Sequence, residues 1–118
     1  IGIGNLGQAI LRYQGFANKG FEIVLAFDNY SELIGREIAG IQVDDVRQME
    51  KLILEETVKI AILTVPVTEA QKVADRLVSC GVKAILNYAP VTLKLPPEIQ
   101  VSDIDPVLKL QKMTFYLE

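Results

Sequence analysis

Apolar positions recur along this chain in two rhythms. Phe21–Phe27 (FEIVLAF) and Lys59–Val65 (KIAILTV) are nearly continuous apolar runs of strand length. Such runs suit parallel strands buried on both faces. Val82–Leu86 and Ile99–Ile104 (IQVSDI) predict two further strands, and Ile38–Val43 a weaker one interrupted by Gly40. Between the runs the spacing becomes helical. Leu6, Ala9, Ile10 and Tyr13 share one face of a helix expected from Gly4 to about Lys19, with Gly15 and Gly20 punctuating its exit. Val46, Met49, Leu52 and Ile53 form a second stripe, for which Asp44 can act as N-cap. Thr68 and Gln71 have the spacing of a capping box for a helix through Ser79, and Gly81 is its C-terminal stop. Ser31–Ile34 gives at most one turn before Gly35, and Asn87–Pro97 is a loop holding three of the five prolines. Asp105-Pro106 opens a last helix, with Asp as N-cap and Pro at the first helical position.

Strands and helices alternate throughout, the pattern of an α/β fold with a parallel sheet and right-handed crossovers. No internal repeat or low-complexity segment interrupts it. One domain is expected over 1–104, followed by a terminal helix over 105–118. A Gly-rich loop begins at Gly2, where a strand of about 5–6 residues should already have been laid down. A truncated first strand, in a piece of a longer protein, is therefore expected.

Composition narrows the chemistry. Ile, Leu and Val supply 39 of the 118 residues against 27 charged ones, which rules out disorder. No apolar run approaches the roughly 20 residues of a membrane span, and no basic-then-apolar leader is visible. The net charge of −3 gives these residues no strong footprint for nucleic acid. There is no histidine and one cysteine. Histidine-based triads and dyads are excluded, as is an internal disulfide, and a zinc site is not expected. Cys80 follows Ser79 at a helix end and reads as a small inert hydrophobe, because a thiol switch would need a resolving partner.

Gly2-Ile3-Gly4-Asn5-Leu6-Gly7 matches G-x-G-x-x-G where a strand hands over to a helix. Gly2 permits the tight turn, Gly4 lets the backbone approach a pyrophosphate, and Gly7 lets the helix pack closely on the sheet. The helix N-terminus then offers free N–H groups to phosphates. Asp28 ends the second strand, 21 residues after Gly7. A carboxylate there accepts from both ribose hydroxyls of a dinucleotide. It would repel a 2′-phosphate, so NAD(H) is favoured over NADP(H). The expected fold is thus a Rossmann-type parallel sheet with helices on both faces.

The loop IGIGNLG, then RYQGF (Arg12–Phe16), AFD (Ala26–Asp28), AILTVP (Ala61–Pro66), AQKVADRL (Ala70–Leu77), GVKAILNYAP (Gly81–Pro90) and DIDPVLKLQKMTFYL (Asp103–Leu117) occur in this order. Together they resemble the C-terminal domain of Rex, a bacterial family of redox-sensing transcriptional repressors. The resemblance covers essentially the whole chain. It implies a cytoplasmic, non-enzymatic homodimer that binds NAD(H) here and binds operator DNA through an N-terminal winged-helix domain absent from this sequence. In that family a high NADH/NAD⁺ ratio releases the repressor from DNA.

Matched by position, Gly2, Ile3, Gly4, Asn5, Leu6 and Gly7 form the phosphate loop and Asp28 holds the adenosine ribose. Val65 and Pro66 line the cofactor, and Asn87, Tyr88, Ala89 and Pro90 form the loop near the nicotinamide. Tyr13 matches a tyrosine close to the nicotinamide, and Asp105 an aspartate that approaches the partner's site. Tyr13 and Asp105 are expected to pair in one state of the switch. The sequence departs from the family at Tyr88, often Phe, at Tyr30, often Asp, and at Pro106, where a larger apolar residue can sit.

Val107, Leu108, Leu110, Met113, Phe115, Tyr116 and Leu117 surround the axis of the last helix, which is therefore expected to be buried on several sides. The family swaps this helix between subunits, so Leu108 and Phe115 are expected at the dimer contact. Two other functions are weighed against a sensor. An oxidoreductase fragment would need a substrate site and an acid–base residue that spacing does not point to. A CoA-binding Rossmann domain, like that of the succinyl-CoA ligase α subunit, is disfavoured by Asp28, because CoA carries a 3′-phosphate in place of a free diol.

Overall fold

The two apolar runs each supply one strand to a parallel ladder. The computed structural model describes residues 1–104, 110, 113 and 114. In chain order the elements are α1 (Asn5–Arg12), α2 (Gly15–Asn18), β1 (Ala26–Asp28), β2 (Glu37–Ile38) and β3 (Ile41–Asp45). A 3-10 turn (Val46–Gln48) leads into α3 (Met49–Glu56), followed by β4 (Ile60–Leu63), α4 (Val67–Ser79), β5 (Ala84–Asn87) and β6 (Gln100–Asp103). β1 pairs in parallel with β3, Ala26 opposite Val43, and β2 adds an antiparallel edge to β3. β5 lies between β4 and β6, parallel to both, with Leu63 opposite Asn87 and Asn87 opposite Asp103.

Ile1 and Gly2 join the two ladders. The amine of Ile1 donates to the Ile62 carbonyl at 2.7 Å, and the Thr64 N–H returns a bond to the Ile1 carbonyl at 2.8 Å. Gly2 N–H donates to the Phe27 carbonyl at 2.9 Å. The spatial order is therefore β2-β3-β1, then Ile1–Gly2, then β4-β5-β6. The α/β expectation holds, with β2 as an antiparallel addition at one edge.

The core gathers on these ladders. Phe27, Met49, Leu63, Leu77, Val82 and Ile85 are buried, and α4 lays Ala70, Val73, Ala74 and Leu77 against the sheet. Each large apolar side chain so buried stabilises the fold by about 1.5–3 kcal/mol. Ile3, Ala26, Ile38 and Val43 form a second cluster under α1. Gly81 closes α4 at φ +102°, as its position suggested.

Several local expectations are corrected. The helix expected over Gly4–Lys19 breaks at Tyr13, which leaves helical geometry at φ −74°, ψ 117°. Its ring folds over Gly15, where an added Cβ would fall 2.2 Å from the ring. Of the run FEIVLAF, only Ala26 and Phe27 enter the strand, continued by Asp28. β3 begins at Ile41, two residues before the partner of Ala26, so the earlier part of the run has little to pair with on that side. The interruption at Gly40 is a two-residue hairpin turn, Ala39 (φ 52°) and Gly40 (φ 83°), between β2 and β3.

Asp45 replaces Asp44 as the cap. Its side chain accepts the Arg47 N–H at 2.9 Å, while Asp44 sits within β3 opposite Phe27. The Thr68–Gln71 capping box is absent, because α4 starts at Val67 with Pro66 as N-cap, leaving Thr68 inside the first turn. Gln71 instead bonds the Asp75 carboxylate and, through both ends of its amide, the backbone of Lys94. The helix expected from Asp105 lies outside the described residues.

Candidate functional site

The glycine loop sits where the two ladders meet. Gly2 has φ +93°, and a Cβ there would stand 2.7 Å from the Thr64 carbonyl oxygen. At Gly7 a Cβ would fall 2.1 Å from the Gly2 carbonyl oxygen, so α1 packs against the loop only because Gly7 lacks one. Gly4 differs. It is the N-cap of α1, it is exposed, and a Cβ there meets nothing within 4 Å. The space over Gly4 is open toward the first turn of α1, where Asn5 and Leu6 are also exposed. The first N–H groups of a helix lack intrahelical partners, so this opening faces potential anion donors.

Asp28 is tied into this loop. Its Oδ2 accepts the Ile3 N–H at 2.6 Å, and its Oδ1 accepts the N–H groups of Asn29 and Tyr30 at 2.7 and 2.9 Å. A carboxylate offers about four lone-pair sites, which leaves capacity for a ligand hydroxyl. Thr64 fixes the other side. Its hydroxyl lies 2.6 and 2.5 Å from the carbonyls of Ile1 and Gly2, its one proton shared between them. Thr64 was not singled out in sequence, although it is the polar residue at the end of an apolar strand.

A cavity of about 130 Å³ opens beside the loop and takes in Gly2, Asp28, Val65 and Pro66. It thus brings four sequence-predicted residues together, along with Val46, Glu69, Val73 and Arg76, which were not foreseen. Asn87, Tyr88, Ala89 and Pro90 lie at the carboxyl end of β5, on the same sheet edge. The Tyr88 N–H donates to the Leu63 carbonyl at 2.9 Å. They do not line that cavity. Asn87 is fully buried and holds its own loop, accepting from Ala89 N–H and donating to Val91 and Asp103. Tyr13 stands at the far end of α1, about 12 Å along the axis. It is 61 % exposed and edge-on to Phe16. Asp105, Leu108 and Phe115 lie outside the described residues.

A larger, mainly apolar cavity of about 300 Å³ is lined by Phe21–Leu25, by the start of β4 and by Ile3 and Gly7 of the glycine loop. Among the described residues no group of His, Cys, Asp or Glu is arranged to hold a metal. No described helix is long and apolar enough to cross a membrane.

Residues 1–91 match the protein family described as CoA binding domain. The chain belongs to that family. The chain is 48% identical over 117 residues to the redox-sensing transcriptional repressor Rex of Chloroflexus aurantiacus, covering 99% of this chain and 55% of that protein. It is 41% identical over 118 residues to Rex of Bacillus licheniformis, covering all of this chain and 55% of that protein. Among solved structures it resembles RSP, a Rex-family repressor, in complex with β-NADH, at a TM-score of 0.90 and 38% identity. That match covers 98% of this chain and 56% of the other. RSP in complex with β-NAD⁺ and operator DNA matches at a TM-score of 0.92 and 38% identity, covering 98% of this chain and 54% of the other. The chain spans about half the length of the curated relatives it matches, which are named as repressors and not as enzymes.

Proposed function

We propose that this chain is the NAD(H)-binding part of a transcriptional repressor that responds to the NADH/NAD⁺ ratio, NADH releasing it from DNA. One observation carries the assignment: Asp28 is hydrogen-bonded into the glycine loop at 2.6 Å, beside the open face over Gly4. A diphosphate at the start of α1 places the adjoining ribose against that carboxylate. CoA has a 3′-phosphate where this carboxylate needs a hydroxyl, so CoA is the poorer fit despite the family's name. The RSP complexes with β-NADH and β-NAD⁺ support the same choice.

The Gly4 backbone and the first turn of α1 hold the diphosphate, Asp28 orients the ribose, and Val65 and Pro66 pack against the cofactor. The bound nicotinamide supplies a ring that is cationic when oxidised and neutral when reduced. Tyr88, Ala89 and Pro90 flank it, and Asn87 fixes their loop from behind. The Tyr13 hydroxyl pairs with Asp105 in one state of the switch, and the nicotinamide competes for that space in the other. The protein is a cytoplasmic homodimer through its C-terminal helix, with Leu108 and Phe115 at the contact, and DNA is bound by a winged-helix domain outside this chain. Redox sensing requires that NADH and NAD⁺ prefer different dimer geometries, since a ligand of equal affinity for both shifts nothing.

Parallel calorimetric titration with NADH, NAD⁺, NADPH and CoA tests the assignment. Tight NADH binding, weaker NAD⁺ binding and none of NADPH or CoA is expected. Equal affinity for NADH and NAD⁺ would mean that this domain alone cannot read their ratio. A preference for CoA would overturn the assignment.

A further inference from the structure

Among the described residues, the cavity beside Asp28 has one cationic side chain on its wall, Arg76, and a carboxylate already holds it. Arg76 projects from the third turn of α4. Its Nε donates to Glu50 Oε2 at 2.8 Å, and its Nη2 donates to Glu50 Oε1 at 2.5 Å and to the Val46 carbonyl at 2.8 Å. The Nε–Nη2 edge of the guanidinium is filled by a bidentate carboxylate from α3, in the geometry that edge would use for a phosphate. Arg76 and Glu50 remain 34% and 39% exposed, so solvent and ligand can reach the pair. The other charged groups on that wall are Asp28 and Glu69, both acidic.

We propose that Glu50 is a specificity-determining residue that excludes a 2′-phosphorylated dinucleotide by occupying the Arg76 fork. The proposal rests on the cavity being the adenosine end of an NAD(H) site. Dinucleotide sites that accept a 2′-phosphate do so with a nearby arginine. Here the arginine is present, and Glu50 holds its Nε–Nη2 edge from within the fold. Asp28 repels a 2′-phosphate at the ribose, and Glu50 removes the compensating charge behind it. Selectivity is then set by residues on three elements, β1, α3 and α4.

The test is the ratio of NADPH to NADH dissociation constants in the wild type, Glu50→Ala and Glu50→Gln. Glu50→Ala should lower that ratio at least tenfold, through tighter NADPH binding, with NADH affinity changed less than threefold. Glu50→Gln, which keeps one acceptor for Arg76, should fall between. Adding Arg76→Met to Glu50→Ala should abolish the gain. A ratio unchanged in both Glu50 variants, or a gain that survives loss of Arg76, overturns the proposal. A purely structural pair would weaken both ligands together and leave the ratio where it was, which also overturns it. A wild type that binds neither NADH nor NAD⁺ overturns the assignment of the site, and the selectivity proposal falls with it.

Discussion

Asp28 Oδ2 accepts the backbone N–H of Ile3 at 2.6 Å, joining the end of β1 to the middle of the glycine loop. The same carboxylate takes two more N–H groups from Asn29 and Tyr30. Hydrogen bonds to a charged group contribute about 1.5–3 kcal/mol each, and a buried donor left without its partner costs about 1–3 kcal/mol. Asp28→Ala should therefore destabilise the fold by about 2 kcal/mol and weaken NADH binding more than tenfold. Asp28→Asn keeps one acceptor oxygen and should fold better than Asp28→Ala while still binding weakly. Thermal unfolding and calorimetric titration of both variants read the two effects separately.

The three loop glycines should respond differently to alanine. At Gly7 a Cβ would sit 2.1 Å from the Gly2 carbonyl oxygen, so Gly7→Ala must displace backbone and should be strongly destabilising. Gly2→Ala meets both a positive φ and the Thr64 carbonyl. Gly4→Ala meets nothing, so it should melt within a few degrees of wild type. If a diphosphate occupies the open space, Gly4→Ala should still lose most NADH affinity. A normally folded Gly4→Ala that binds NADH like the wild type would count against the placement of the phosphates.

These contrasts show what was legible in sequence. The glycine spacing and Asp28, 21 residues after Gly7, foretold the turn at Gly2 and the close packing at Gly7, because each residue has a local reason to be there. The run Lys59–Val65 marked β4 and Gly81 the end of α4, whereas most of Phe21–Phe27 stays outside β1. The break at Tyr13 was hidden because it depends on an aromatic ring folding over Gly15. The Thr68–Gln71 spacing misled because Gln71 serves a tertiary contact, the backbone of Lys94, in place of its own helix end. The Glu50–Arg76 pair joins residues 26 positions apart and has no spacing rule to announce it. Arg76 does fall three residues after Val73 on the buried stripe of α4, which marks it as an edge residue rather than a solvated one.

Asn87 is the buried polar side chain of the core, and its role is to shape the loop after β5. Asn87→Leu leaves the buried Ala89 N–H and the Val91 carbonyl without their partner. A cost of about 2–4 kcal/mol is expected from two such losses. Asn87→Asp retains an acceptor for Ala89 but sets a buried carboxylate 2.9 Å from the place where Asp103 now receives a donor. It should be the worse variant at neutral pH and recover as pH falls, because burial and a like charge both favour the protonated form. Denaturant unfolding at pH 5 and pH 8 distinguishes the two variants. Equal destabilisation at both values for Asn87→Asp would show that Asp103 does not interact with it.

Cys80 is buried at the end of α4, its Sγ donating to the Leu77 carbonyl at 3.3 Å. Burial pushes the thiol above its ordinary value of 9.0, and the nearby Glu50 charge pushes the same way. A thiol reagent should label it slowly in the native protein and at once after unfolding. Its stabilising contribution is fully present below pH 9 and is lost as pH rises through the folded value, since the unfolded chain then ionises first. Cys80→Ala should flatten that alkaline loss. Rapid labelling under native conditions would mean that the end of α4 opens readily and that the thiol is available for redox chemistry.

The acid limb should report on Glu50. Hydrogen bonding from Arg76 holds the Glu50 carboxyl below its ordinary value of 4.5, against an opposing push from burial. A depressed folded value means that the pair stabilises the protein above pH 4.5 and that this contribution is lost as pH falls through the folded value. Because both side chains are about a third exposed, solvent screening limits the effect to about 1 kcal/mol or less. Glu50→Gln should lower stability at pH 7 by that small amount, and the gap to the wild type should narrow as pH falls below 4.5. Adding 1 M salt should shrink the difference at pH 7, since screening weakens a partly exposed pair. A gap that responds to neither acid nor salt would assign the loss to packing between α3 and α4 instead of to the charge on Glu50.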